Sequence, residues 1–155
     1  MVLLHGYPTC SYDWHAIWPW LQPRLRLIAP DFLGMGFSDK PRSHNYTITS
    51  HAASVDALLD ALGVREFHLV AHDLGVRVAQ ELLARREQAH GRAAAIRSLV
   101  LLNGAMCPEA YRPRPIQRLL ASPLGGWIAP HIPRSAFVRT VRELVGPRRP
   151  ASQAL

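Results

Sequence analysis

An apolar run, Phe67-His68-Leu69-Val70-Ala71-His72, breaks at Asp73 into a small-residue turn and then into the helical pattern that begins Leu74-Gly75. The run is too short for a helix and suits a buried strand, so the segment reads as strand, sharp elbow, helix, with Asp73 at the apex. Such an elbow lifts one side chain clear of the sheet and sets it beside the first free N–H groups of the helix. Ala71 and Gly75 keep the turn uncrowded in the pattern G-x-S-x-G, with a carboxylate where that pattern has a hydroxyl. Two readings of Asp73 follow. It caps the helix, accepting from the second or third helical N–H, or it is a nucleophile presented by the elbow.

The rest of the chain is organised around this unit. Val2-Leu3-Leu4 reads as a strand ended by the turn His5-Gly6-Tyr7-Pro8, and Trp14, Ile17, Trp18 and Leu21 recur at helical spacing in a segment over 11–21 closed by Pro23. The tryptophans are expected in the core. Leu25, Leu27, Ile28 and Ala29 form a second strand, followed by a loop from Pro30 to Pro41. Thr47 is placed to cap a helix that carries Ala52, Val55, Leu58, Leu59 and Leu62 on one face, with Gly63 just past its end. After the elbow, Val78, Ala79, Leu82 and Leu83 give another buried stripe. Ile96 and Leu99 to Leu102 make a fourth strand ended by Asn103-Gly104. Strands alternating with helices imply an α/β fold with a parallel sheet of about four strands, in spatial order second, first, third, fourth. Ligand chemistry in such sheets lies at the carboxyl ends of the strands, where the His5 turn, the Asp31 loop, Asp73 and Asn103 all fall.

Composition fits a soluble globular chain, with 48% hydrophobic and 19% charged residues, and no apolar run approaches a membrane span. No leader segment is visible after Met1, and Cys10 and Cys107 have no partner spacing, so a reducing cytoplasm is expected and neither a disulfide framework nor a zinc site is indicated. Gly34-Met35-Gly36 lacks the third glycine of a dinucleotide fingerprint, and Pro41 stands where the phosphate-binding helix would begin, so no cofactor is expected. The net charge of +7 is uneven: residues 1–105 carry nine Arg and Lys40 against nine acids, whereas residues 106–155 carry eight Arg against Glu109 and Glu143. Eight of the thirteen prolines also lie after residue 105. The expected division is therefore 1–105, a sheet-and-helix core, and 106–155, a Pro- and Arg-rich helical region with short helices such as Ile116 to Leu120 and Ala136 to Val145. No nucleic-acid motif accompanies the basic tail.

Three motifs in order, His5-Gly6-Tyr7-Pro8, Asp31 to Pro41 and Ala71-His72-Asp73-Leu74-Gly75, resemble the α/β-hydrolase fold in its epoxide hydrolase and haloalkane dehalogenase branch. Within that branch Tyr7 to Trp14, Ala79-Gln80-Glu81-Leu82-Leu83 and Asn103-Gly104 look most like the mesoderm-specific transcript family. The resemblance implies that Asp73 attacks a carbon of an epoxide or alkyl halide and forms an alkyl ester, which a water activated by a histidine then hydrolyses. It implies an oxyanion hole made by the backbone N–H groups of Tyr7 and Leu74, a cis bond before Pro8, and a small apolar organic substrate. His5 is expected to brace its turn and Asp31 its loop. His72, adjacent to Asp73 on a strand, is expected to point to the opposite face and to pack behind the site rather than act as base.

The chain also departs from the branch. Leu74 stands where many of these enzymes have Trp, Tyr7 where dehalogenases often have Asn, and Asn103 where some carry the acid of the triad. Tyr111 is the one tyrosine after residue 105 to compare with the tyrosines that protonate an epoxide oxygen. The family sheet has eight strands and its histidine follows the last, so this chain corresponds to the third to sixth strands and the beginning of the helical cap. A truncated, Asp-nucleophile hydrolase is the leading reading; a catalytically inactive fragment or binding partner, and a basic nucleic-acid module, are the rivals. His131 is the tail histidine that would have to stand in as base. Sheet edges left without their neighbours are expected to favour self-association.

Overall fold

A computed structural model describes residues 1–89, 94–104, 115–120, 122–136 and 138–139. Two compact units divide the chain at Met1–Ala110 and Tyr111–Leu155. In the first, β1 (Val2–Leu4), β2 (Glu66–His72) and β3 (Ala95–Leu102) form a parallel sheet in the order β1-β2-β3. Leu4 lies opposite Ala71, and His72 opposite Leu102.

The sheet has three strands rather than the expected four. Of the segment Leu25 to Ala29, Ile28 alone joins, through an isolated parallel bridge to Val2. Ile28 N–H donates to Met1 O at 2.9 Å and Leu3 N–H to Ile28 O at 2.9 Å, so its backbone groups are spent on the residue before β1 and on β1 itself. Prolines at 23 and 30 hem the segment in, and β1 itself offers three residues before its turn, too little ladder for a full strand. The spatial order is nevertheless the expected one, with Ile28 beside β1 and then β2 and β3. The predicted helix over 11–21 is likewise broken, into a 3-10 turn (Ser11–Trp14) and the short α1 (Trp18–Leu21). Pro19 explains the break, because its ring would clash with the carbonyl four residues back and it has no N–H to continue the ladder. Trp14 is buried as expected, but Trp20 is 81% exposed.

Two helices cover one face. α2 (Ile48–Ala61) starts at Thr47, whose hydroxyl accepts from Ser50 N–H at 3.0 Å while Ser50 Oγ accepts from Thr47 N–H at 3.0 Å, a reciprocal cap. α3 (Leu74–Gln88) follows the elbow. Ala52, Val55 and Leu59 of α2, with Val76, Val78, Ala79 and Leu82 of α3, close over Val2, Leu4, Phe67, Leu69 and Ala71. Asp56 ties the helices together, 2.8 Å from Arg86 and 3.7 Å from Arg85. The other face carries Leu3, which is buried, and then Val100 and Leu102 on β3, 47% and 41% exposed. Among the described residues, β3 pairs with no strand beyond β2.

His51 sits on α2 with its ring centroid 5.0 Å from that of Phe32 and 6.4 Å from that of Tyr46, and its buried Nδ1 has no hydrogen-bond partner. Burial, and then the neighbouring His44 and His5, hold its pKa below the ordinary histidine value. The unfolded chain therefore binds the proton more readily, so the stability His51 contributes is full above about pH 6.5 and drains as pH falls below it. His51→Phe, which keeps a ring in the site and removes the unpaired nitrogen, is expected to match or exceed wild-type stability at pH 8. Its advantage should widen by pH 5, as read from melting temperatures across that range.

In the second unit, α4 (Pro115–Leu120) meets the expected helix at Ile116 to Leu120. α5 (Gly125–Ile128) and a 3-10 turn (Ala129–His131) follow. Of the expected helix over Ala136 to Val145, positions 136, 138 and 139 are helical and the rest lies outside the described residues, as do Cys107 and Tyr111. His131 directs Nδ1 to Trp127 O at 2.9 Å.

Candidate active site

At the carboxyl end of β2 the chain turns on Asp73, whose φ of 50° and ψ of −112° lie in a region L residues rarely adopt. Its N–H still reaches the neighbouring strand, donating to Leu102 O at 3.1 Å, while its carbonyl accepts from Val76 N–H at 3.1 Å to start α3. The side chain makes no helix-cap hydrogen bond. Instead Oδ1 accepts from Tyr7 N–H at 2.9 Å, across 66 residues of sequence. Between the two readings of Asp73, capping is therefore excluded by geometry: the strained backbone turns the carboxylate away from the helix it precedes and towards the turn that ends β1. Asp73 is exposed.

Two glycines permit this approach. A Cβ on Gly75 would lie 2.6 Å from Leu4 O and 2.9 Å from His5 O, so the first turn of α3 can press against the end of β1 only without a side chain. Gly75 N–H donates to His5 O at 3.2 Å in that contact. A Cβ on Gly6 would lie 2.8 Å from Asp73 Cβ, 3.2 Å from Asp73 Oδ1 and 3.1 Å from His72 Nδ1. The carboxylate and the His72 imidazole thus both flank Gly6.

Tyr7 is joined to Pro8 by a cis peptide bond, as the resemblance implies, and the residue is 66% exposed, with its backbone N–H turned to Asp73. Leu74 opens α3, so its N–H belongs to the first turn, where helical donors lack intrahelical partners. Around the turn, His5 is fully buried. Its Nε2 accepts from Phe32 N–H at 3.0 Å and its Nδ1 is 2.7 Å from Gly6 O. Thr9 adds two donors to the same carbonyl, its N–H at 3.3 Å and its hydroxyl at 3.1 Å. Sequence position alone does not point to Thr9; a hydroxyl directly after the turn's proline, three residues beyond Gly6, is the signal that identifies it.

Asp31 anchors the loop as expected. Oδ1 accepts from Ser11 N–H at 2.6 Å and Oδ2 from Phe37 N–H at 2.7 Å, and its carbonyl accepts from Ser38 Oγ at 2.6 Å. Burial acts to raise its pKa, but the Phe37 and Ser11 amides prevail and hold the carboxyl below its ordinary value. Asn103, at the end of β3, also has a positive φ, of 48°. Among the described residues, no group of three or more His, Cys, Asp or Glu side chains could hold a metal ion.

A strand, a strained acidic elbow and a helix, faced by a His-Gly-x-Pro turn at the carboxyl edge of a parallel sheet, is a specific arrangement, and the profile described as alpha/beta hydrolase fold matches residues 1–122. The chain belongs to the α/β-hydrolase fold family. It is 47% identical over 163 aligned positions to the mesoderm-specific transcript homolog protein of Homo sapiens, covering 100% of this chain and 48% of that protein. A haloalkane dehalogenase of Mesorhizobium japonicum is 46% identical over 88 residues, 57% of this chain and 28% of its own length. Among solved structures, an alpha/beta hydrolase fold protein from Burkholderia ambifaria superposes with a TM-score of 0.70 at 29% identity, covering 94% of this chain and 50% of that one. Epoxide hydrolase CorEH does so with a TM-score of 0.58 at 27% identity, over 77% and 41%. This α/β hydrolase chain therefore spans about half the length of the curated relatives it matches over its whole extent. No helix among its described residues is long and apolar enough to cross a membrane.

Proposed function

We propose that this chain carries the nucleophile half of an Asp-type, epoxide-hydrolase-like centre. Asp73 is the nucleophile, and the backbone N–H groups of Tyr7 and Leu74 are the oxyanion donors. The observation that carries the reading is the hydrogen bond from Tyr7 N–H to Asp73 Oδ1, made by a carboxylate that declines to cap its own helix. Carboxylates are ionised at neutral pH, so attack at a saturated carbon needs no base. One oxygen is held by Tyr7, which leaves Oδ2 to form the new C–O bond. An epoxide ring C–O bond breaks, and its oxygen takes a proton from solvent, giving a hydroxyalkyl ester. With an alkyl halide, favoured by the dehalogenase likeness, halide leaves instead.

The second step needs a base to take a proton from water as its oxygen attacks the ester carbonyl. We expect no histidine of this chain to activate that water, so, with general-base assistance worth roughly 10² to 10⁴ in rate, the reaction should stall at the ester. The test is intact-mass spectrometry after incubation with a small epoxide such as styrene oxide, with 1-bromobutane as a parallel arm. The expected result is a gain of one hydroxyalkyl group per chain from the epoxide, or one butyl group from the bromide, that is absent in Asp73→Asn and persists after the reagent is removed. Equal labelling of wild type and Asp73→Asn would refute the assignment. Multiple turnovers lost in Asp73→Asn would instead reveal a base, and His72→Gln and His131→Ala would be the variants to make next.

A further inference from the structure

We propose that His5 is a positioning residue for this centre. Its imidazole fixes and polarises the Gly6–Tyr7 peptide so that Tyr7 N–H is aimed at Asp73 Oδ1. The inference deepens the reading of Asp73 given above and rests on it for its catalytic meaning, though not for its geometry. A backbone N–H can only donate, so the bond from Phe32 N–H obliges His5 Nε2 to accept. A carbonyl can only accept, so Nδ1, 2.7 Å from Gly6 O, must carry the proton and donate. Both bonds are satisfied by one neutral tautomer and by no other.

The consequence runs through a single peptide plane. The C=O of Gly6 and the N–H of Tyr7 belong to the same trans peptide and point in opposite directions, so whatever holds the oxygen aims the hydrogen. His5 supplies the shortest of three bonds to that oxygen; the others come from Thr9, whose hydroxyl proton is shared with Asp13. The line Phe32 N–H to His5, His5 to Gly6 O, and Tyr7 N–H to Asp73 Oδ1 is a chain of hydrogen bonds in which each donor strengthens the next, starting in the Asp31 loop and ending on the carboxylate. Complete burial of His5 keeps water from competing for either nitrogen.

Two variants separate aiming from packing. In His5→Asn the side-chain amide nitrogen takes the place of Nδ1 and keeps the bond to Gly6 O while losing Phe32. In His5→Gln the amide oxygen takes the place of Nε2 and keeps Phe32 while losing Gly6 O. Each deletes one hydrogen bond, so melting temperatures should fall together. Tyr7 should not respond alike: in His5→Gln its amide proton resonance is expected to move upfield and exchange with solvent about tenfold faster, whereas in His5→Asn both stay near wild type. A chemical readout follows once Asp73 has been esterified by the epoxide. Hydroxylamine attacks the ester carbonyl, the alcohol leaves with a proton, and Asp73 becomes a hydroxamate. This should be about tenfold slower in His5→Gln, short of the ~10² to 10³ that follows outright loss of an oxyanion donor, and within about threefold of wild type in His5→Asn. Equal effects of the two variants on Tyr7 would overturn the proposal. If the variants fail to fold, nitrogen chemical shifts of the wild-type imidazole decide it, since a protonated Nε2 with a bare Nδ1 is incompatible with the relay. Failure of wild type to form the ester would sink the reading of Asp73 and leave the Tyr7 amide to judge His5.

Discussion

Gly75→Ala is expected to cost the domain about 3 kcal/mol or more, at the upper end of what overpacking does to a core, because the atoms it meets cannot yield. The added methyl would lie 2.6 Å from one backbone oxygen and 2.9 Å from another, both at the end of β1. To relieve the contact, α3 must lift from the sheet. That would break the Gly75 N–H bond to His5 O and unseat Val76, Val78, Ala79 and Leu82 from the shared core. A domain of this size has about 5–15 kcal/mol to lose, so the urea midpoint should fall by a large fraction. Gly126→Ala, whose methyl would meet nothing within 4 Å, is the control and should leave the midpoint nearly unchanged. A Gly75→Ala midpoint equal to that of the control would show that the helix and strand do not press together as described.

Asp31→Asn should be the second costly change, by about 2 kcal/mol near neutral pH, the range for a hydrogen bond to a charged group. The amide can accept from Ser11 or Phe37 through its oxygen but presents an N–H₂ group to the other donor, setting two donors against each other. Because the folded-state pKa of Asp31 lies below its ordinary value, the unfolded chain protonates first. The contribution is then full above about pH 4 and is lost as pH falls further through the folded value. Wild type and variant should therefore converge in stability below that point while staying apart at pH 6 to 7. Denaturation curves followed from pH 7 down through the acid range give the comparison, and a gap that does not narrow as pH falls below about 4 would assign the loss to something other than the carboxylate charge.

What could be read from the sequence was local. The elbow at Asp73 follows from a period change and two small residues, the cap at Thr47 from one hydroxyl before an apolar stripe, and the cis bond at Pro8 from the resemblance of its turn. What could not be read depended on neighbours far along the chain. Whether Leu25 to Ala29 forms a strand is decided by how much of β1 is available to pair with it, and three residues with prolines on either side of the segment leave one bridge. Whether 11–21 is one helix depends on a proline whose clash outweighs a good apolar period. The bond from Phe32 N–H to His5 could not be inferred at all, because Phe32 lies 27 residues away and its N–H is brought in by the Asp31 loop.

The register of β1 on β2 sets the candidate centre as a ruler sets a gap. Leu4 stands opposite Ala71, so the turn after one strand runs beside the elbow after the other, and Tyr7 N–H meets Asp73 Oδ1 at 2.9 Å. Sliding β1 by a single residue would carry Tyr7 about 3.3 Å along the strand direction, more than the whole tolerance of a hydrogen bond, and would also turn Leu3 and Leu4 to the wrong faces. A misregistered sheet could remain compact and still lack a centre altogether. Folding to the right alignment and bringing the Asp73 carboxylate to the Tyr7 N–H are therefore one event, and the Tyr7 amide resonance would serve as a gauge of both.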